Sequence, residues 1–324
     1  MRASKSASPL LACYGKHVKT DLDHLPPAKR RELELVIKLI FEEFGDAVAL
    51  AQQPWKKQAR ILKIILFGSY ARGGWVEEPH TAKGYRSDFD LLIIVNHEKL
   101  VDRGTYWSNV DERLIREVDV TGALRTPVNF IVHTLGEVND ALSQGRYFFT
   151  DIVRDGIAIY QADNSGLSQP RPKTAADALV LGREYAGEWL PSADEFLIQG
   201  REAAARGWHK KAAFELHQAA ERLYHGVLLT LTLYTPHTHR LSALRSMAEQ
   251  LDSRLITAWP REMRADRSRF EKLKDAYVKA RYSKHYEIGA DDLAWLGDRV
   301  EELAGIVATI CRERISALEI AAQV

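Results

Sequence analysis

The chain has 324 residues, which predicts two domains against a prior of about 150 residues each. Its 45 basic and 44 acidic residues leave a net charge of +1, which excludes a global field that would draw it onto nucleic acid or an anionic membrane. A hydrophobic share of 46% excludes a disordered chain, and two cysteines at opposite ends, Cys13 and Cys311, exclude a disulfide framework and a metal knuckle.

In chain order, residues 1–27 are polar and small and close on Pro26 and Pro27, which reads as a flexible N-terminal arm. From Ala28 to Leu50 the spacing predicts an amphipathic helix with Leu33, Val36, Ile37, Ile40, Phe41 and Phe44 on one face. "RILKIILFG" and "DFDLLIIV" are two apolar strands, "VDRGTYWSNVDERLIREV" reads as one helix, and "PVNFIVHT" as a third strand. Strands alternating with helices give residues 28–160 a small mixed sheet. Residues 161–176, rich in Gly, Ser, Asn and Pro, read as a linker.

Downstream, helical spacing covers 176–205, 208–231, 241–251, 259–281 and 291–318, so residues 177–324 are expected to form an all-helical bundle and the chain as a whole to be α+β. No apolar run approaches the length of a membrane span, and the reading is a cytoplasmic protein without a membrane partner.

Chemistry concentrates in two stretches of the first half, "GSYARG" at 68–73 and "SDFDLL" at 87–92. A glycine at a strand-to-helix turn lets backbone amides approach a phosphate, and residues two apart on a strand share a face, so Asp88 and Asp90 suit one divalent-ion site with Phe89 and Leu91 turned to the core. The two motifs in this order resemble the minimal nucleotidyltransferase branch of the DNA polymerase β superfamily. That resemblance implies that Gly68 and Ser69 hold a nucleoside triphosphate, with Arg72 supporting the loop. It also implies that Asp88 and Asp90 bind Mg2+ or Mn2+, and that ATP is the substrate.

Two departures stand out. Asp88 follows Ser69 by 19 residues, longer than the family's spacing, with residues 73–86 as an insertion that is either a flap over the acceptor site or a surface loop. The family's third carboxylate is replaced by Asn129, which accepts a hydrogen bond but is no charged base. Glu77, Glu78 and Asp119 are alternatives that spacing does not rank. Asn129 is therefore expected to orient the acceptor or a metal-bound water.

In the second half, "HQAAE", "THRL" and "ARYS" in this order resemble a HEPN domain. Many HEPN domains are metal-independent ribonucleases with an Arg, four to six residues, then a His. Here Arg281 and His285 enclose only three, and Tyr286 follows His285 directly, so a structural or ligand-binding role is expected for Arg281, His285 and Tyr286. Ser283 and Gly289 predict that the helix ends before His285. His237 and His239 read as turn histidines, His217 and His225 as packed ones, and Trp189, Trp208, Trp259 and Trp295 as core or contact residues.

Together these readings predict transfer of a nucleoside monophosphate, AMP from ATP, to a hydroxyl of a protein or small molecule. A toxin and antitoxin held in one chain and a homodimer through the helices follow from the resemblance. The rival readings are a HEPN ribonuclease toxin with RNA as partner, a nucleotide-binding sensor without turnover, and an antibiotic-modifying nucleotidyltransferase.

Overall fold

β1 (Ile61–Phe67) is buried along its whole length, and so is β2 (Phe89–Val95), because each has a neighbour on both edges and cover on both faces. The computed structural model describes residues 18–49, 52–77, 86–162, 165–171 and 173–323. Cys13, Glu78 and the middle of the 73–86 insertion lie outside the described residues. Among the described residues four strands form a sheet in the order β3-β2-β1-β4, with β3 at Val128–Thr134 and β4 at Ile157–Gln161. β2 runs antiparallel to β1 and parallel to β3, and β1 antiparallel to β4, which makes the sheet mixed, as the sequence predicts.

Two compact units divide the described chain. The first draws on Met1–Gly74, Phe89–Gly145 and Phe149–Pro172 and carries the sheet. Its α1 (Pro27–Ala49), followed by the single-turn α2 (Pro54–Lys57), buries Leu33, Val36, Ile40 and Phe44, and Phe44 stacks on the fully buried Trp107 at 5.1 Å. Lys29 of α1 donates to Thr126 Oγ1 at 2.6 Å, and Glu32 accepts from the backbone amides of Arg125 and Thr126, which fixes the loop that enters β3.

Several expectations need correction in this unit. Residues 18–26, read as arm, are tied down: Lys19 bridges Ile157, Leu25 is buried, and His24 Nε2 donates to the Tyr70 carbonyl at 2.8 Å. The helix expected over 101–118 is broken into a 3-10 turn (Glu98–Val101), α4 (Arg103–Tyr106) and α5 (Ser108–Asp119). The cause is local: Asp102 caps α4 through the Thr105 amide, and Trp107 turns inward to donate to the Leu100 carbonyl. Three strands are expected from the sequence; β4, only five residues long and half buried, is a fourth. Its approach is preceded by α7 (Tyr147–Asp155) and, after β3, by α6 (Leu135–Ser143), whose Thr134 and Glu137 make a capping box.

The second unit draws on Trp75–Asp88, Arg146–Phe148 and Lys173–Val324. It contains α8 (Ala175–Ala205), α9 (His209–Thr232), α10 (Leu241–Leu251), α11 (Arg264–Tyr282) and α12 (Ala290–Ala322). α9 packs against each of the other four, which is why it is buried nearly all round. At Gly200 of α8 an added Cβ would stand 3.0 Å from the Leu216 side chain of α9, so the two helices approach closely there. The helix expected from Trp259 begins instead at Arg264, because Pro260 holds Trp259 extended. Trp259 is buried and donates to the Tyr224 hydroxyl at 2.8 Å, whereas Trp208 is half exposed beneath the Arg206 guanidinium. Cys311 is buried, which pushes its thiol up to about 11.

Candidate functional site

The antiparallel register sets Phe67, the last residue of β1, opposite Asp90 of β2, and the parallel register sets Asp90 opposite Asn129 of β3. Gly68 leaves β1 immediately after that pairing at φ +75°, a conformation that glycine adopts without the Cβ clash of other residues. Gly68 and Ser69 open the short helix α3 (Gly68–Arg72). The Gly68–Ser69 turn, Asp90 and Asn129 therefore meet at one end of the sheet, although they come from three separate stretches of sequence.

Each of them is held from behind. Tyr70, fully buried, packs its ring against Phe89 at 4.5 Å, and this ties α3 to the start of β2. The Phe89 amide donates to the Pro127 carbonyl at 2.8 Å, which locks β2 onto the entry of β3. Ser69 Oγ is buried and makes no hydrogen bond to any described residue, an oxygen left over by the protein itself. Asp90 is 1% exposed, so the expected alternation, with carboxylates outward and Phe89 and Leu91 inward, gives way to a strand buried on both faces. Asn129 is half buried.

Arg72 is exposed and makes no hydrogen bond to the Gly68–Ser69 turn; it lies within electrostatic range of Asp151 and Asp155 on α7. Burial pushes the Asp151 carboxyl up against the pull of Arg154 and Arg72, while a hydrogen bond from Arg154 holds Asp155 down. No motif in the sequence marks Asp151 and Asp155. Glu77 is exposed and bridges Arg86, and the Ser87 amide donates to the Val76 carbonyl at 2.9 Å, which closes the neck of the insertion just before Asp88. Asp119 sits at the end of α5. Asp88, half buried one residue ahead of β2, accepts a hydrogen bond from Ser246 Oγ of α10 at 2.7 Å, a contact that the sequence offered no signal for.

In the helical unit α11 ends at Tyr282, and Ser283 is extended, so His285 lies beyond the helix that carries Arg281. Arg281 donates Nε to the Tyr277 carbonyl at 2.7 Å and its guanidinium sits 4.4 Å from the Tyr277 ring centre. His285 is exposed. Tyr286 is buried, its hydroxyl donates to the Lys272 carbonyl at 2.9 Å, and burial raises its pKa. Arg281 thus sits at the end of α11, His285 lies exposed beyond it and Tyr286 is buried against Lys272.

A different cluster sits on α9. Glu221 is buried and accepts a hydrogen bond from His239 Nδ1 at 2.9 Å; His239 in turn stacks on Tyr277 at 4.2 Å. Burial raises the Glu221 carboxyl, opposed by the His239 hydrogen bond. His217 is fully buried with Nε2 unpaired, and burial lowers it to about 3. His225 donates or accepts at Thr235 Oγ1 over 2.6 Å and is lowered by burial to about 4. The sequence placed His217 and His225 in the core but gave His239 no partner, since 18 residues and a turn separate it from Glu221.

Residues 51–147 match the nucleotidyltransferase domain family, and residues 186–313 match the HEPN domain family. The chain carries a nucleotidyltransferase domain and a HEPN domain in one polypeptide. No curated protein matches it. No helix among the described residues is long and apolar enough to cross a membrane.

Proposed function

We propose that the chain transfers a nucleoside monophosphate, AMP from ATP, to a hydroxyl of a protein or small-molecule acceptor in the cytoplasm. The observation that carries this reading is the register that sets Phe67, and hence the Gly68–Ser69 turn, beside Asp90 and Asn129. Ser69 Oγ, buried without a partner, fits a ligand that brings oxygen atoms, and the first amides of α3 lack helical acceptors by construction. Among the described residues no three His, Cys, Asp or Glu side chains gather into a metal-holding group. Two carboxylates nevertheless suit Mg2+ or Mn2+, since Mg2+ is commonly held by one or two of them together with phosphate oxygens and water.

Asp88 and Asp90 would hold the ions, which when bound neutralise charge on the transferring phosphate. Gly68 and Ser69 grip the triphosphate, and Asn129 orients the acceptor hydroxyl but cannot take its proton. Asn129 is also what favours the second reading, a nucleotide-binding sensor without turnover.

The helical domain is read as a homodimerising partner, supported by exposed Val180 and Ile198 on α8 and Val278 and Tyr282 on α11. Light scattering should exceed the 36.7 kDa of one chain. A toxin and antitoxin in one polypeptide is the setting that such a fusion suits, with adenylylation as the silencing step. Incubation with radiolabelled ATP and Mg2+, followed by gel and thin-layer separation, tests the transfer. Label on protein or a small acceptor is expected with the wild type and absent from Asp90→Asn. ATP binding without label would leave the sensor reading.

A further inference from the structure

Ser246 sits in the middle of α10, where every residue from Leu244 to Glu249 is buried. A buried serine or threonine inside a helix ordinarily donates its single hydroxyl proton to the carbonyl one turn back. Thr230 and Thr232 do so on α9, at 2.8 and 2.7 Å, as does Thr309 on α12 at 2.9 Å. Ser246 departs from this habit and donates to Asp88 Oδ2 at 2.7 Å. Its hydroxyl serves a carboxylate 158 residues away in the chain.

Both ends of that bond are held. Arg245, the neighbour of Ser246, is 9% exposed, with Nε donating to Glu249 Oε1 at 2.7 Å and its guanidinium 4.5 Å from the Phe270 ring centre on α11. Glu249 in turn accepts from Arg261 Nη2 at 2.6 Å, so α10 is pinned to α11 and to the loop at Pro260. At the other end, Ser87 exchanges two hydrogen bonds with Val76: its amide donates to the Val76 carbonyl and its hydroxyl accepts from the Val76 amide, both at 2.9 Å. The backbone leading into Asp88 is thereby fixed, and rotation of the Asp88 side chain is the freedom that remains. Ser246 selects that rotation.

We propose that Ser246 is a positioning residue for divalent-ion binding, fixing through Asp88 Oδ2 the rotamer in which this carboxylate ligates the ion. The inference rests on the nucleotidyl-transfer reading, which makes Asp88 an ion ligand. An ionised carboxylate has about four lone-pair sites, so one hydroxyl bond does not exhaust its capacity to ligate. A side chain already oriented by a hydrogen bond gives up less rotamer freedom when the ion arrives. Removing a group that hydrogen-bonds a metal ligand typically costs about 10- to 100-fold in metal affinity or activity. α10 therefore tunes ion affinity through one hydroxyl, without touching the ion.

The test is Mn2+ binding to the full-length protein, followed as loss of the free-ion electron paramagnetic resonance signal, with no nucleotide present and so no turnover. Ser246→Ala is expected to weaken Mn2+ binding at least about tenfold, and Ser246→Thr, which keeps the hydroxyl, to stay near wild type. Ser242→Ala removes a hydroxyl one turn away on the same helix and is expected to keep the wild-type affinity. Mg2+ titration of the initial transfer rate gives a second readout: Ser246→Ala should need about tenfold more Mg2+ and regain the wild-type rate at saturation, which a general loss of folded protein does not produce. Should Ser246→Ala fold poorly, Ser246→Cys, a weaker donor of similar size, is expected to show the same weakening in smaller measure. Wild-type affinity in Ser246→Ala, or an equal loss in Ser242→Ala, overturns the proposal and leaves the transfer reading standing. Failure of the wild type itself to bind Mn2+, or binding untouched in Asp90→Asn, sinks the transfer reading and the proposal with it.

Discussion

Asp90 and Asn129 stand directly opposite each other in the parallel ladder of β2 and β3, one residue pair beyond Phe89 and Val128. A carboxylate placed at 129 would therefore face Asp90 across one ladder spacing, and two like charges so close raise each other's pKa unless a cation intervenes. Asn129→Asp is expected to lower the melting temperature in EDTA by about 2–4 °C, the equivalent of roughly 1 kcal/mol for a domain of this size, and to recover it with Mn2+. Differential scanning calorimetry with and without the ion checks this. An unchanged melting temperature in both conditions would mean that the two side chains do not share a site.

Asp88→Asn and Asp90→Asn are expected to reduce Mg2+-dependent transfer by about 30- to 1000-fold, the rate equivalent of roughly 2–4 kcal/mol of lost charge stabilisation. The readout is initial rate with labelled ATP. Wild-type rates in the double variant would remove the chemistry from this strand.

Ser69→Ala and Gly68→Ala should separate binding from stability. Ser69 Oγ is buried without a partner, so its loss leaves folding stability unchanged or slightly raised while nucleotide affinity falls. Gly68 sits at φ +75°, where an added Cβ costs about 1–2 kcal/mol, and Gly68→Ala should lose both stability and affinity. Urea denaturation and nucleotide titration on the same samples check the pair.

RNA cleavage by the full-length chain in EDTA is expected to be no greater than that of His285→Ala, because α11 ends at Tyr282 and releases His285 from the face that carries Arg281. Arg281→Ala should instead destabilise modestly, by about 1 kcal/mol, through loss of its stacking on Tyr277. Cleavage abolished by both substitutions would reverse this reading of the helical half.

Stability should fall as acid is added below pH 6.5. His217 and His225 are held in the fold at about 3 and about 4, below the ordinary histidine value of 6.5, because burial penalises their charged forms. The unfolded chain then binds more protons than the fold, so the stability they contribute is complete above 6.5 and drains away as pH falls towards those values. Glu221, raised by burial, works the other way: its contribution is complete below the ordinary glutamate value and is lost as pH rises through its raised pKa in the fold. The histidines outnumber it, so the slope in mildly acidic buffer is positive, at most about 1.4 kcal/mol per pH unit for each group. His217→Gln should flatten the curve measured by urea titration between pH 5 and 7.

How far the sequence carries can be followed residue by residue. The Gly68–Ser69 turn, the apolar runs of β1 and β2 and the long helices were legible, because glycine's conformational freedom and the periods of strand and helix are written in neighbouring positions. The end of α11 was legible for the same reason, from Ser283 and Gly289. Register is another matter. That Phe67 lies opposite Asp90, and Asp90 opposite Asn129, depends on how apolar faces far apart in the chain slide into one core. Ser246 reaching Asp88, His239 reaching Glu221 and two arginines converging on Glu249 are likewise contacts over long or interrupted stretches of chain. Local physics chose the elements and marked the chemical groups; burial of the whole chain chose which of those groups meet.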